Sequence, residues 1–433
     1  MTEKEAKPGR CADPRLKTNV IRCCDAQASL KKLPDACIDC VVTSPPFWSL
    51  RDYGVLPNKW ADGTRSALGL EPHFDSYIEH LCEVFDELSR VLKPTGTLWV
   101  NLGDTYHNAT KWTCKDESPQ TISGQNNRGF KTGRRMNQGL PEKCLSLIPQ
   151  RFVLSMVQRG WILRNDIVWH KPNHMPTSVK DRFACSWEHL FLFAKRSRYY
   201  FDLDAVRIPH SSTPKALAKA NRRVRRRPSP HLHGCRRCPN PGELQSAHPL
   251  GKNPGDYWLS PTEVHSSDSP ASGTKTGQES NVGHPSDVWP IITRPSTSGH
   301  FATYPEALVE RPIRAGCPTK VCKRCGTPKL TRRVFRRAQP ATDSHAQRNP
   351  CLASTGGTNQ IIFVCKCKRG FQPGIVLDPF MGTGTTAVVA RRLGRRFIGF
   401  ELNPRYVRMA RKRLADAAHD SSSAAGAKIK KTA

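Results

Sequence analysis

Ile375-Val376-Leu377-Asp378-Pro379-Phe380-Met381-Gly382-Thr383-Gly384-Thr385-Thr386 decides the fold of this 433-residue chain. Its first three residues are an apolar, largely β-branched run and read as a buried strand. Asp378-Pro379 ends that strand. Gly382 and Gly384 let the backbone approach a ligand closely before a helix over about 386–393. A second strand, 396–400, ends at Glu401, about 20 residues on, where a carboxylate can accept both hydroxyls of a ribose. Asn403 follows two residues later. The whole is a nucleotide-type unit, although its glycines taken alone also fit a plain tight turn. It is not a Walker loop, because no lysine follows Gly384.

The same punctuation recurs upstream. Residues 19–23 read as a strand, with Asp25 just beyond it and a short helix through Leu30 and Leu33. The apolar run 38–42 then enters Thr43-Ser44-Pro45-Pro46-Phe47-Trp48. The two prolines stop the strand, remove two backbone donors and hold Ser44 and Pro45 extended. What remains is a stiff shelf with one hydroxyl, bare carbonyls and a ring. A flat heteroaromatic amine can stack on Phe47 while its NH2 donates to Ser44 and the Pro45 carbonyl. Taken alone, the stretch fits a proline-rich turn equally well. Asp25 and Ser44 are expected at the ends of neighbouring strands.

Downstream, the spacing predicts a helix over 74–91, a turn at Lys93-Pro94-Thr95-Gly96 and a strand over 97–101 that leads to Gly103-Asp104. Asp104 lies at the end of that strand, where a carboxylate suits proton transfer or the capping of a loop. A helix over 147–159 and strands over 161–169 and 187–195 follow. Helices are also expected over 306–315 and 406–414. Alternation of this kind predicts an α/β fold around a doubly wound, mostly parallel sheet.

The organisation reads as a flexible lead (1–18), a first half of the sheet domain (19–208) and an insertion at 209–290 rich in Ser, Pro, Arg, His and Gly. That insertion carries Arg222-Arg223-Val224-Arg225-Arg226-Arg227 and is a possible target-recognition region or a basic linker. The second half comprises 291–316 and 368–417, interrupted by a cysteine-rich insertion, 317–367, and a disordered tail is expected at 418–433. Lys+Arg number 68 against 36 Asp+Glu, a net charge of +32, which points to a polyanionic partner, nucleic acid first. Residues 1–10 are charged and no run of about 18 apolar residues occurs, so a cytoplasmic chain without membrane contact is expected.

In a reducing compartment the 17 cysteines suit metal better than disulfides. Cys322-x2-Cys325 has the shape of a zinc knuckle, and with Cys365-x-Cys367 it could close a four-thiolate structural site. Cys317 and Cys351 are spare candidates. Cys235-x2-Cys238 with His231 or His233 could hold a second ion.

Asp378-Pro379-Phe380-Met381-Gly382-Thr383-Gly384-Thr385 resembles motif I of the S-adenosylmethionine-dependent DNA amino-methyltransferases, and Thr43-Ser44-Pro45-Pro46-Phe47 resembles their catalytic motif IV. Catalytic motif first and cofactor motif near the C-terminus is the order of the permuted β class, with a Rossmann-like core. Residues 300–305 and the helix after them are similar to the family's motif X, and the resemblance covers 19–205 and 290–415. It implies that S-adenosylmethionine is held by Asp25 at the adenine ring, by Phe301, and by Asp378 and Phe380. Gly382, Gly384, Thr385, Glu401 and Asn403 complete that implied set. It implies a catalytic group of Ser44, Pro45, Pro46 and Phe47, with Asp104. The implied substrate is a base flipped out of double-stranded DNA. Ser-Pro-Pro is the family's usual spelling for cytosine N4, with adenine N6 the alternative. A restriction partner and a monomer or homodimer fit the same family. A DNA-binding module without catalysis, or an RNA or protein methyltransferase of similar core, are the competing classes; two intact motifs, their order and the basic charge favour the DNA enzyme.

Overall fold

The computed structural model describes residues 16–50, 52–107, 139–174, 179–207, 288–290, 304–329, 331–335, 357–361 and 365–429. Eight strands form the central sheet: β1 (Val20–Cys23), β2 (Ile38–Thr43), β3 (Leu92–Leu102), β4 (Ile162–His170), β5 (Trp187–Ala194), β6 (Val288–Pro290), β7 (Ile375–Asp378) and β8 (Arg396–Glu401). Their order is β1-β8-β7-β2-β3-β5-β4-β6. β1 through β3 run parallel, β5 is antiparallel to both β3 and β4, and β6 is parallel to β4.

Every residue of β2 and β7 is buried, as expected of central strands covered on both faces. The helices are α1 (Ala26–Leu30), α2 (Phe74–Val91), α3 (Ile148–Gln158), α4 (Glu306–Gly316), α5 (Thr385–Arg392) and α6 (Pro404–Ile429). One core joins α1, α2 and α3 to the sheet through Leu30, Tyr77, Leu81, Phe85, Leu88 and Phe152. The other joins α4, α5 and α6 to the opposite face through Val309, Ile313, Val389 and Ala410. The architecture is therefore three-layered and doubly wound. Among the described residues no helix is long and apolar enough to cross a membrane.

The structure corrects four local expectations. β1 and β2 are not neighbours, since β8 and β7 lie between them. The C-terminal strands insert there because their faces are apolar on both sides, whereas β1 is only partly buried. Residues 93–96 are not a turn between elements but an irregularity within β3, where Ile38 pairs with Leu92 and Cys40 with Thr97. Lys93 is drawn inward there by Asp39, its Nζ donating to Oδ1 at 2.5 Å with both side chains buried. Gly96 is required at that point, since a Cβ would sit 2.9 Å from the Asp39 carbonyl oxygen. The tail is helical as far as Ile429, continuing α6 through an alanine-rich stretch that favours helix. Finally, Val288–Pro290 joins the sheet as β6 beside β4. The rest of 209–290, including the arginine run and Cys235, Cys238, His231 and His233, lies outside the described residues.

Candidate active site

The chain leaves β7 through α5 toward β8 and leaves β2 through α2 toward β3, in opposite directions along the sheet. The carboxyl ends of β2 and β7 therefore flank a topological switch point, where open α/β sheets bind ligands. Thr43 Oγ1 donates to Asp378 Oδ1 at 2.7 Å across that point. This one bond brings the Ser-Pro-Pro-Phe shelf and the Asp-Pro-Phe-x-Gly turn together.

On the shelf side, Ser44 Oγ donates to Asn101 Oδ1 at 3.1 Å. Asn101 Nδ2 donates to Glu188 Oε2 at 3.1 Å and to the His189 carbonyl at 3.0 Å. Those two acceptors orient the amide, so its oxygen must face Ser44 and the serine proton must go to it. Glu188 is in turn paired with Lys171. The Ser44 oxygen is thus left as an acceptor. The Pro46 carbonyl takes the Tyr77 hydroxyl at 2.8 Å, and burial pushes the Tyr77 phenol well above its usual range, keeping it a donor. The Pro45 carbonyl accepts no hydrogen bond from the described residues.

Phe47 lies against Gly103, where a Cβ would come within 2.7 Å of its ring carbon Cε2. Behind it Trp48 is buried, donating from Nε1 to the Glu71 carbonyl at 2.9 Å. Glu71 is itself buried against His80 at 3.1 Å, and the Trp60 ring stacks on His80 at 4.4 Å. Asp104 takes three backbone donors: Thr105 and Ile148 on Oδ1 at 2.8 and 3.1 Å, and Leu147 on Oδ2 at 3.0 Å. It anchors the start of α3, the capping alternative among its readings, and burial raises its pKa.

On the other side, Asp378 is fully buried and its pKa is raised by that burial. Its oxygens accept from Thr43, Thr386, Tyr304 and the Phe380 amide. It braces the turn instead of facing the crevice. Gly382, at φ +53°, donates its amide to Glu401 Oε2 at 2.8 Å, and Asn403 donates its amide to Oε1 at 2.8 Å. Glu401 is partly buried, which raises its pKa, and each oxygen retains a further acceptor direction. Asn403 caps α6 through Arg405 and also donates to the Tyr53 carbonyl at 3.3 Å, tying the loop after the shelf to the second motif. Gly384 has φ +84°, and a Cβ there would meet the Ala410 Cβ at 2.8 Å. It lets α6 pack on the turn. Thr385 accepts from Arg413 Nη1 at 3.1 Å.

Asp25 caps α1, accepting from the Ala28 amide at 2.7 Å and from Asn58 Nδ2 at 2.7 Å. Cys23 pairs with Glu401 and the Cys24 amide donates to the Glu401 carbonyl, so Asp25 follows directly beside the acid of β8. Phe301 lies outside the described residues, whereas Tyr304, three residues on, reaches Asp378 at 2.9 Å. Sequence reasoning missed Asn101, Glu188, Tyr77, Tyr304 and Arg413. Tyr304 and Tyr77 carried a weak signal as tyrosines whose hydroxyls need partners when buried. Asn101 carried none beyond its place at a strand end. The cysteines of the insertion also come together: Cys322, Cys325, Cys365 and Cys367 place their sulfurs within 4.8 Å of one another.

A doubly wound sheet with a glycine turn and a terminal acid at its switch point is the frame of a nucleotide-type binding site. A family described as DNA methylase matches residues 38–320 and 368–412, and the chain belongs to it. The match runs through 209–290, which the sequence reading had left outside the resemblance, and omits 321–367. Type II methyltransferase M.SfiI of Streptomyces fimbriatus is 32% identical over 88% of this chain and 88% of its own length. M.SmaI of Serratia marcescens is 28% identical over 93% of each chain, and M.Cfr9I of Citrobacter freundii is 30% identical over 90% of this chain and 85% of its own length.

Proposed function

We propose that this chain transfers a methyl group from S-adenosylmethionine to the exocyclic N4 amine of cytosine in double-stranded DNA. The observation that carries the reading is the Ser44 hydroxyl, whose proton is held by Asn101 so that its oxygen is left to accept, next in the chain to the Pro45 carbonyl, to which none of the described residues donates. An exocyclic amine has two N–H donors, and these two oxygens accept both. Held this way, the nitrogen lone pair is turned out of conjugation and toward the methyl donor. As the N–C bond forms, positive charge grows on nitrogen and both hydrogen bonds strengthen, which is stabilisation specific to the transition state.

Bound S-adenosylmethionine supplies a methyl group on a sulfonium, whose S–C electron pair stays on sulfur as the bond breaks. Glu401 suits its ribose hydroxyls, the Gly382–Gly384 turn suits close backbone approach, and Asp25 lies beside Glu401 for the adenine. Asp378, Thr385 and Asn403 position that cradle through their own bonds. The amine proton leaves to solvent after transfer. A base inside a duplex is out of reach, so the target is extruded, and Phe47 offers it a stacking face.

Serine at the head of the motif favours cytosine over adenine. The relatives' designation as Type II methyltransferases extends the proposal to a site-specific enzyme paired with a restriction endonuclease. The test is methylation of unmodified genomic DNA by purified protein with isotopically labelled S-adenosylmethionine, followed by nucleoside mass spectrometry. N4-methylcytosine is expected. N6-methyladenine overturns the choice of base, and unlabelled DNA of every sequence overturns the enzyme reading.

A further inference from the structure

We infer that Cys322, Cys325, Cys365 and Cys367 bind one structural zinc ion that clamps the cysteine-rich insertion to the base of β7. Four sulfurs at tetrahedral positions around zinc, with bonds of roughly 2.3 Å, are roughly 3.8 Å apart. Here all four lie within 4.8 Å of one another, and the Cys325 and Cys365 sulfurs are 3.4 Å apart.

The backbone around them is shaped for thiolates. Gly326, at φ +67°, donates its amide to the Cys322 carbonyl at 2.9 Å and closes a tight knuckle. The Arg324 amide points at Cys322 Sγ and the Cys367 amide at Cys365 Sγ, each at 3.4 Å. Hydrogen bonds of this kind favour the charged form of sulfur. An all-sulfur set selects a soft ion over magnesium or calcium, and four protein ligands leave no open position for a substrate. Binding releases the thiol protons to solvent and involves no redox step.

Zinc with four thiolates carries two net negative charges. The exposed Lys323, Arg324, Lys366, Lys368 and Arg369 stand on the same two loops and offset them. The module's placement assigns it a bracing role. Val321–Cys322 pairs antiparallel with Phe371–Gln372, the Lys323 amide donates to the Gly370 carbonyl, and the Gly374 amide donates to the Pro318 carbonyl. Ile375 then starts β7, whose far end carries the Asp378 turn. The ion would lie at the amino end of that strand, away from the shelf. The matched residues of the DNA methylase family stop at 320 and resume at 368, so the module is separate from the part of the chain that identifies the enzyme.

The test is metal analysis of the full-length protein purified without chelator or a histidine tag. About one zinc per chain is expected, and cobalt(II) substitution should give the visible spectrum of a tetrahedral tetrathiolate. Cys325→Ser with Cys365→Ser should abolish both signals and lower the melting temperature, while S-adenosylmethionine binding below that temperature persists. Wild-type protein without zinc, or zinc retained in full by the double variant, overturns the site. A cobalt spectrum of oxygen and nitrogen ligation does the same. If the double variant fails to fold, the wild-type metal content and cobalt spectrum decide.

Discussion

Replacing Ser44 by alanine, alone and together with Asn101→Ala, is the sharpest test of the shelf. In the proposed reaction Ser44 Oγ is one of the two oxygens that accept from the amine, and its side chain is partly buried. Loss of one preorganised group at a site of developing charge costs about 2.7–4 kcal/mol, or about 100- to 1,000-fold in rate. Asn101 touches the reaction only through Ser44. Removing it lets the serine hydroxyl rotate and deletes one neutral hydrogen bond, about 1 kcal/mol, or about fivefold in rate. Glu188 keeps Lys171 as a partner, so no buried charge is stranded. The double variant should therefore match Ser44→Ala, with a coupling energy of about 1 kcal/mol. Single-turnover methyl transfer at saturating cofactor and DNA measures the three rates, and calorimetry should find S-adenosylmethionine affinity unchanged in all of them. Equal losses from Asn101→Ala on the wild-type and Ser44→Ala backgrounds would refute positioning through Ser44. Near-normal turnover by Ser44→Ala would refute the shelf itself.

Gly103→Ala places a Cβ 2.7 Å from the Phe47 ring and should raise the KM for DNA by about tenfold, a strain of about 1–2 kcal/mol, with cofactor affinity intact. Glu401→Ala frees the Gly382 and Asn403 amides and should weaken S-adenosylmethionine binding by at least about tenfold in calorimetry, at about 1–3 kcal/mol for the unsatisfied groups. Asp39→Ala removes the buried carboxylate that pairs with Lys93 and accepts from the Ile375 amide, and should lower unfolding free energy by about 3–5 kcal/mol in urea titrations. DNA affinity should fall steeply between low and moderate salt, as expected for a chain of net charge +32; a flat response would remove phosphate contacts as its source.

Much of the fold was legible because central parallel strands are buried on both faces and so appear as unbroken apolar runs. Ile375–Leu377 is of this kind, Ile38–Val42 is broken only by the buried Asp39, and each leads into a motif whose prolines or glycines suit one geometry. The bulge at 93–96 was not legible. Lys93-Pro94-Thr95-Gly96 carries every local mark of a turn, and what holds it in a strand is an ion pair to Asp39, 54 residues away. Asp104 shows the same limit: its position suited chemistry, and only the fold of Leu147 and Ile148 onto it reveals an anchor. Asn101 reads as an ordinary strand residue until Glu188 and the His189 carbonyl orient it.

The sequence by itself determined the two motifs, their order, the α/β class and the pairing of cysteines by spacing, because each depends on residues close together in the chain. Tertiary structure decided which strands are adjacent, which oxygens remain as acceptors and which acids brace the site. Those outcomes depend on hydrogen bonds such as Thr43 to Asp378, which span 335 residues and have no local signature.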